Sequence, residues 1–592
     1  MSARLVPVGW NRSKLVIDAV AAASVAAYLL AYVRLAPLLQ SLSLPPDDNT
    51  VLMRAYGSCA FLLLTFVLGI GPLTRLDPRF LPLLYNRRHL GVLTCVIAAA
   101  HVQAVLDWYF AYSSVPPVEA MLASDPGFFT LHGIPFIPFG VLAFGVLVVL
   151  AATSHDFWLG FLTPPVWKAI HMTVYGAYAA AVLHVVLGAL RATADPTLAM
   201  VLAAGLGSLI VLHLAAAHQE RRRDAAQAAP GTQTPWVSAG PAAAVPEGGA
   251  IVVHPPGGEP VAIFRHLGRL SAVSNLCAHQ NGPLGEGRVV DGCITCPWHG
   301  FQYRLEDGCA PPPFSEKLAT YRLRLRGETL ELDPRPNPPG TRVDPLPVAV
   351  PATPAPDDFF IGWAAAPPRA LRVLLGALVL GVPLGFGALG LVLGRAADDP
   401  GSGAFNWDAG EQHVVGTVTA HPYPLLYLPS GHTLMLVGLG KSGVELDPAL
   451  DGRRVAATGV MIRRGTLDML QVDDVAPVDG PAIVPAPVPF GRWRLVGEIC
   501  DGKCETGAMR PGSGLAHRAC AMLCLAGGVP PVFVTAGPVE GTGFLLLAGP
   551  DGGPVAAAVR ALTALRVEIE GTLERRGDLF LMRADPDRVR LR

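Results

Sequence analysis

The sequence predicts a multidomain membrane protein. A six-helix α transmembrane bundle comes first, then an all-β domain, a seventh transmembrane helix, and a mainly β C-terminal region of two similar small, barrel-like domains. Three observations predict this order. Of 592 residues, 51% are hydrophobic and only 15% charged, with a mean hydropathy of +0.42, the balance of a chain with membrane spans. Seven apolar stretches come near the ~20 residues needed to cross a bilayer, six of them before residue 218 and one far downstream. The polar intervals hold short alternating runs such as Tyr321-Arg-Leu-Arg-Leu325, punctuated by Gly and Pro, the pattern of strands.

The first six stretches are residues 14–35, 52–73, 90–112, 135–153, 166–189 and 198–217, giving a lipid-embedded domain over 1–220. Arg75, Arg79, Arg87 and Arg88 lie between the second and third, Arg221, Arg222 and Arg223 follow the sixth, and Arg4, Arg12 and Lys14 precede the first, whereas 113–134 has no Lys or Arg. The excess of positive charge in cytoplasmic loops places the N-terminus and residues 218–370 in the cytoplasm, although Arg34, Arg54 and Arg191 sit near the other side. Residues 221–235 read as a linker, 236–335 as the all-β domain and 336–368 as a Pro-rich linker. The seventh span, 369–394, then carries two outer β domains, 410–480 and 487–592, into what would be the periplasm of a bacterial inner-membrane protein. A net charge of −1 gives no footprint for nucleic acid. No cleavable leader is expected, because no small-residue cleavage site follows the first span.

Chemistry begins at Cys277-x-His279 and Cys296-Pro-Trp-His299, two Cys–His pairs with sixteen residues between His279 and Cys296. Two thiolates on one iron and two imidazoles on the other are the ligands of a Rieske [2Fe–2S] cluster. The surroundings, Asn275-Leu-Cys-Ala-His-Gln280 and Cys296-Pro-Trp-His-Gly-Phe301, resemble the Rieske family. Where cytochrome bc-type members carry a disulfide across the cluster, this chain has Gly282 and Trp298. The pattern is instead similar to Rieske ferredoxins and oxygenase Rieske domains, which implies a low potential. Cys293 and Cys309 stand at other positions and read as buried or free thiols. An oxygenase would add a mononuclear iron on two His and a carboxylate, and the downstream His413, His421, His432 and His517 form no such cluster in sequence. Gly438-Leu-Gly-Lys-Ser-Gly443 has the spacing of a dinucleotide loop but leads into Val-Glu-Leu-Asp-Pro448 rather than a helix. A separate cytosolic reductase or ferredoxin is therefore expected to supply electrons.

Histidines in apolar spans are rare and usually functional. His89 and His101 lie on the third span, His171 and His184 on the fifth. The spacings of 12 and 13 residues put each pair roughly 18–20 Å apart along its axis. Two stacked b-type haems, or one, would suit them, but at ~100° per residue neither pair shares a face of a straight helix. Arg87-Arg-His-Leu-Gly91 with His101, and Thr153-Ser154 followed by Trp167-Lys-Ala-Ile-His-Met-Thr-Val-Tyr175 and His184, resemble the ferric-reductase-like transmembrane family. That resemblance implies haem ligation by His101, His171 and His184, with His89 as the further candidate. His132 and His213 read as interfacial.

In the outer region, Val455-Ala-Ala-Thr-Gly459 through Gly465 is matched by Val567-Glu-Ile-Glu-Gly571 through Gly577 at a constant offset of 112, and both copies read as two strands joined by an Arg-Gly turn. The second copy alone has a cysteine box, Cys500-x3-Cys504 and Cys520-x3-Cys524 around His517. Two disulfides, a metal site and a redox-active dithiol all suit it. The function expected is transmembrane electron transfer by an oxidoreductase component, from a cytosolic donor through the Rieske cluster and haem to an outer acceptor. The alternative is a redox- or metal-responsive membrane sensor or assembly factor that uses the outer cysteine domain.

Overall fold

The computed structural model describes residues 12–592 except 41, 43–45, 78–79, 81–82, 85, 124–134, 156–157, 159–161, 163, 229–235, 280, 299, 313, 350, 353–368, 397, 399–402 and 465–466. His132 and His299 lie outside the described residues.

The apolar stretches are helices: α1 (Arg12–Leu30), α2 (Asp48–Leu76), α3 (Arg87–Val105), α4 (Ile137–Ala152), α5 (Pro164–Met172), α6 (Val174–Leu187), α7 (Thr197–Ala228) and α8 (Arg369–Arg395). Among the described residues, six helices are long and apolar enough to cross a membrane, α5 and α6 counting as one, and α4 is shorter at 16 residues. The stretch expected as one span over 166–189 is broken at Thr173, whose hydroxyl donates to the Ile170 carbonyl at 2.6 Å. That local bond competes with the helix ladder. It separates His171 from His184, so the two need not share a face of one straight helix. α8 lies on α1 and the helical residues that follow it through three glycines. A Cβ on Gly390 would sit 2.5 Å from the Tyr28 carbonyl oxygen, one on Gly394 2.6 Å from the Ala36 Cβ, and one on Gly387 3.5 Å from Ala27. Small residues at this spacing let two apolar helices approach closely in lipid.

The all-β domain contains a sheet of Ala250–Val253, Val261–His266, Arg269–Ser274 and Leu346–Pro347, and a smaller one of Arg288–Val290, Cys293–Thr295 and Gln302–Arg304. Part of the expected Pro-rich linker lies against this domain. Asn337 bonds Thr320, Val343 bonds Glu306, and Val348 bonds Gly268 through their backbones, so a segment too Pro-rich for a central strand serves as an edge strap.

The C-terminal region is two closed barrels of five strands. The first is β1 (Gln412–Thr419), β2 (Leu425–Tyr427), β3 (Thr433–Val437), β4 (Arg454–Arg464) and β5 (Leu467–Pro477); the second is β6 (Val488–Asp501), β7 (Pro531–Val539), β8 (Thr542–Ala548), β9 (Arg566–Arg576) and β10 (Leu579–Ala584). Their neighbour orders are β1-β2-β3-β5-β4 and β6-β7-β8-β10-β9, each closed on its first strand. Every pair is antiparallel except β3–β5 and β8–β10. This is the Greek-key arrangement of OB-type barrels. The repeat seen in sequence is the β4–β5 and β9–β10 hairpin pair. Its glycines have a structural cause: a Cβ on Gly459 or Gly571 would lie 2.0 Å from the carbonyl oxygen of Gln471 or Arg583 across the hairpin.

The modules occupy opposite ends of the bundle. Leu84, between α2 and α3, packs on the core around Cys277 and Cys296. Met53 near the other end of α2, with Tyr109 and Phe110 beyond α3, shares one buried core with both barrels and the cysteine box. Backbone bonds and ion pairs fix the junction at the barrel end, among them Lys441 N–H to the Tyr112 carbonyl at 2.8 Å and Arg510 to Asp47 at 3.2 Å.

The barrels meet at His432, which bridges Asp468 at 3.2 Å and Asp578 at 2.5 Å. The Asp468 hydrogen bond, aided by Asp578, outweighs opposing burial and pushes His432 up to about 9. Folding thus favours the protonated ring. Its contribution is complete below the ordinary histidine value of about 6.5 and is lost as pH rises through about 9. Proteolytic cleavage between the barrels, within 478–487, should accelerate from pH 7 to 10, and His432→Gln should abolish that dependence.

Candidate functional site

Two turns build the first site. The Cys277 N–H bonds the Gly282 carbonyl at 2.9 Å and the Asn281 N–H returns to the Cys277 carbonyl at 2.7 Å. In the second turn the Cys296 N–H bonds the Phe301 carbonyl at 2.8 Å and the Gly300 N–H the Cys296 carbonyl at 3.0 Å. The turns face each other closely enough that a Cβ on Gly282 would sit 2.9 Å from the Cys296 Sγ and 3.1 Å from the Trp298 ring. Cys277 and Cys296 are buried together, and the His279 ring stacks on Phe301 at 5.3 Å. The donor set of soft thiolates with imidazole fits a [2Fe–2S] centre with unequal irons.

Sequence reasoning missed Tyr303, whose hydroxyl lies 3.3 Å from the Cys277 Sγ. Burial holds that hydroxyl protonated, far above its ordinary range, so it is the donor to a thiolate. Such bonds raise the potential of an iron–sulfur centre. Tyr303→Phe should lower it, by about 40 mV if the bond is worth ~1 kcal/mol, as read by a redox titration of the EPR signal.

The second site lies in the bundle. The His101 and His184 rings face each other with centroids 6.3 Å apart, at 81°. Two imidazoles on one metal at about 2 Å from each nitrogen would have centroids about 6 Å apart. Each ring is fixed through Nδ1, His101 to the Met53 carbonyl at 2.8 Å and His184 to the Phe136 carbonyl at 3.0 Å, which leaves Nε2 as the ligating atom. Two glycines make room for the rings. A Cβ on Gly57 would meet His101 at 2.9 Å, and one on Gly140 would meet His184 at 2.7 Å. Nothing in the sequence marked either glycine. His101 and His184 would therefore be the residues to hold a haem iron here, each through Nε2.

The other two histidines are held differently. His171 bonds the Trp167 carbonyl at 3.1 Å, stacks on the Trp167 ring at 3.8 Å, and keeps a buried Nε2 without a hydrogen-bond partner. His89 bonds Asp18 of α1 through Nδ1 at 2.8 Å, a carboxylate–histidine arrangement suited to a ligand. His213 donates from Nδ1 to the Leu209 carbonyl at 2.8 Å and meets the Tyr175 hydroxyl through Nε2 at 3.0 Å, as an interfacial side chain would.

The third cluster is the cysteine box. It fills the connection between β6 and β7: Cys500 is the penultimate residue of β6, Cys504 opens a π-helical turn (Cys504–Ala508), and Cys520 and Cys524 share a face of α9 (Arg518–Ala526). All four are buried free thiols. The Sγ atoms of Cys504, Cys520 and Cys524 lie within 4.8 Å of one another, and a second group within the same reach joins Cys504 to Asp501 and His517. Burial resists ionisation of Cys520, but hydrogen bonds from Cys504 and Cys524 and the charge of His517 push it well below the usual thiol range. Gly438–Gly443, the loop that mimicked a dinucleotide motif, clamps this box instead: the buried Lys503 ammonium donates to the Gly438 and Gly440 carbonyls at 2.7 Å.

These sites define an iron–sulfur electron-transfer module attached to a membrane domain. The chain belongs to the Rieske family: the Rieske [2Fe-2S] domain matches residues 235–322, and a ferric reductase like transmembrane component matches residues 21–182. It is 35% identical over 80 residues to the anthranilate 1,2-dioxygenase ferredoxin subunit of Burkholderia cepacia, covering 13% of this chain and 72% of that one. It is 42% identical over 67 residues to the cholesterol 7-desaturase nvd of Xenopus laevis, spanning 11% of this chain but only 15% of the desaturase. The solved Sphingomonas yanoikuyae B1 ferredoxin is 24% identical with a TM-score of 0.16, covering 17% of this chain and 98% of that one.

Proposed function

We propose that this chain carries electrons across a membrane, from a donor on the Rieske side to an acceptor on the barrel side. The observation that carries this reading is the placement of the sites: the Rieske core touches the bundle at Leu84, and the barrel core touches its opposite end at Tyr109 and Phe110. When bound, a [2Fe–2S] cluster and b-type haem supply the one-electron chemistry, and the protein supplies position and tuning. Cys277, His279, Cys296 and His299 hold the cluster, and Tyr303 sets its potential. His101 and His184 hold haem near the barrel end, and His171 with His89 mark a second level toward the Rieske end. The positive-inside charge pattern supports a cytoplasmic Rieske side; on this reading the membrane is a bacterial inner membrane and the barrel side is periplasmic. A cytosolic ferredoxin or reductase is the donor. Optical and EPR spectra of the purified chain test the reading. A rhombic Rieske signal together with a b-haem Soret band, both responding to reductant, is expected; a chain without haem would overturn it.

A further inference from the structure

We propose that Cys504, Cys520 and Cys524 bind a thiophilic metal at the outer end of the bundle, with His517, which lies within ligand reach of Cys504 but not of all three sulfurs, turning in as the fourth donor. Three sulfurs from two elements converge in a dry core: Cys504 comes from the turn after β6, and Cys520 and Cys524 come from successive turns of α9. Cys500, equally buried, is outside the group and turns its sulfur to Glu498 at 3.2 Å. Sulfur ligands of this number select Zn2+, Cu+ or iron over hard cations.

The histidine supplies the independent observation. Its Nε2 lies 3.1 Å from the buried Asp501 carboxylate, while its Nδ1 is buried with no hydrogen-bond partner. A carboxylate on one ring nitrogen and a bare second nitrogen is the pattern of a metal-ligating histidine. An orphaned buried nitrogen is otherwise costly.

The frame is built to hold this geometry. The first barrel joins β1 to β2 across residues 420–424, whereas the second uses 502–530 at the same place. That insertion is packed tightly on itself and pressed by the first barrel and the membrane domain. A Cβ on Gly512 would lie 2.2 Å from the Cys504 carbonyl oxygen, and one on Gly527 1.9 Å from that of Lys441. Arg464 of the first barrel pairs with the buried Glu505 at 3.1 Å. From the membrane domain, the Tyr109 ring meets His517 edge-on at 6.0 Å. Tyr109 is eight residues, about 12 Å along a helix, beyond His101. On the electron-transfer reading, on which this placement alone rests, the ion stands where electrons leave the bundle.

The test uses the full chain in detergent, reduced, incubated with Cd2+ and desalted. Cadmium is counted by elemental mass spectrometry, and reactive thiols are counted by alkylation before and after loading. The expected result is one cadmium per chain with three thiols protected, in wild type and in Cys500→Ser alike. Cys504→Ser and Cys520→Ser should lose it, and Asp501→Asn should weaken it roughly 10–100-fold. The proteolytic pattern of the barrels checks that each variant is folded, and Cys524→Ser stands in for either that is not. Cadmium uptake unaffected by these substitutions, or Cys504, Cys520 and Cys524 isolated as disulfides that take up no metal once reduced, would overturn the site. Neither readout depends on electron transfer, so its failure and the failure of the wire are separable.

Discussion

Replacing His184 with alanine is expected to abolish the haem Soret band of the barrel-side site while leaving the Rieske EPR signal intact. His101→Ala should do the same, because one imidazole cannot substitute for the other across a pair whose rings are 6.3 Å apart. Both rings are already oriented by backbone carbonyls, so the loss is of a preformed ligand pair rather than of local folding. Gly140→Leu gives a sharper version. It keeps both histidines but fills the space at 2.7 Å that the His184 ring occupies. Haem occupancy should fall to near the His184→Ala level. Normal haem content in any of the three would show that the ligands lie elsewhere.

Cys296→Ser should be equally severe at the other end. A hydroxyl replaces a soft thiolate on iron, at a buried position walled by Gly282 and Trp298. The rhombic Rieske signal should vanish, the b-haem should still assemble, and chemical reduction of that haem by small permeant reductants should persist. Its reduction by ferredoxin should not. This double outcome separates loss of the entry site from collapse of the protein.

Much of this architecture was legible because it rests on strong, local signals. The ~20-residue apolar runs and the strand pairs repeated at offset 112 are each set by nearby residues; the runs became helices, one of them interrupted at Thr173, and the repeats became hairpins. What was not legible depends on approach between distant segments. Gly57 and Gly140 read as ordinary small residues of apolar helices, and only the facing imidazoles give them a reason. The interruption at Thr173 lies between His171 and His184, yet threonine in an apolar run is unremarkable in sequence. Tyr303 stands 26 residues from Cys277, and nothing in its own strand marks it as a sulfur ligand's partner. The barrels were expected as two barrel-like domains, but their strand order was not legible, since closure depends on pairings such as β1 with β4 that span a whole domain. The cysteine box showed its clustering but not which three sulfurs meet, because that is decided by the turn at Cys504 folding back on α9.

Vectorial transfer in sealed vesicles tests the central claim most directly. The full chain is reconstituted with ferricyanide trapped inside, and a membrane-impermeant reduced ferredoxin is added outside. Bleaching of the trapped ferricyanide is predicted for the wild type, for the fraction of molecules whose Rieske domain faces outward. It should drop to the rate of empty vesicles for Cys296→Ser and His184→Ala. Bleaching that proceeds equally in those two variants, or that never exceeds the empty-vesicle rate in the wild type, would contradict the account.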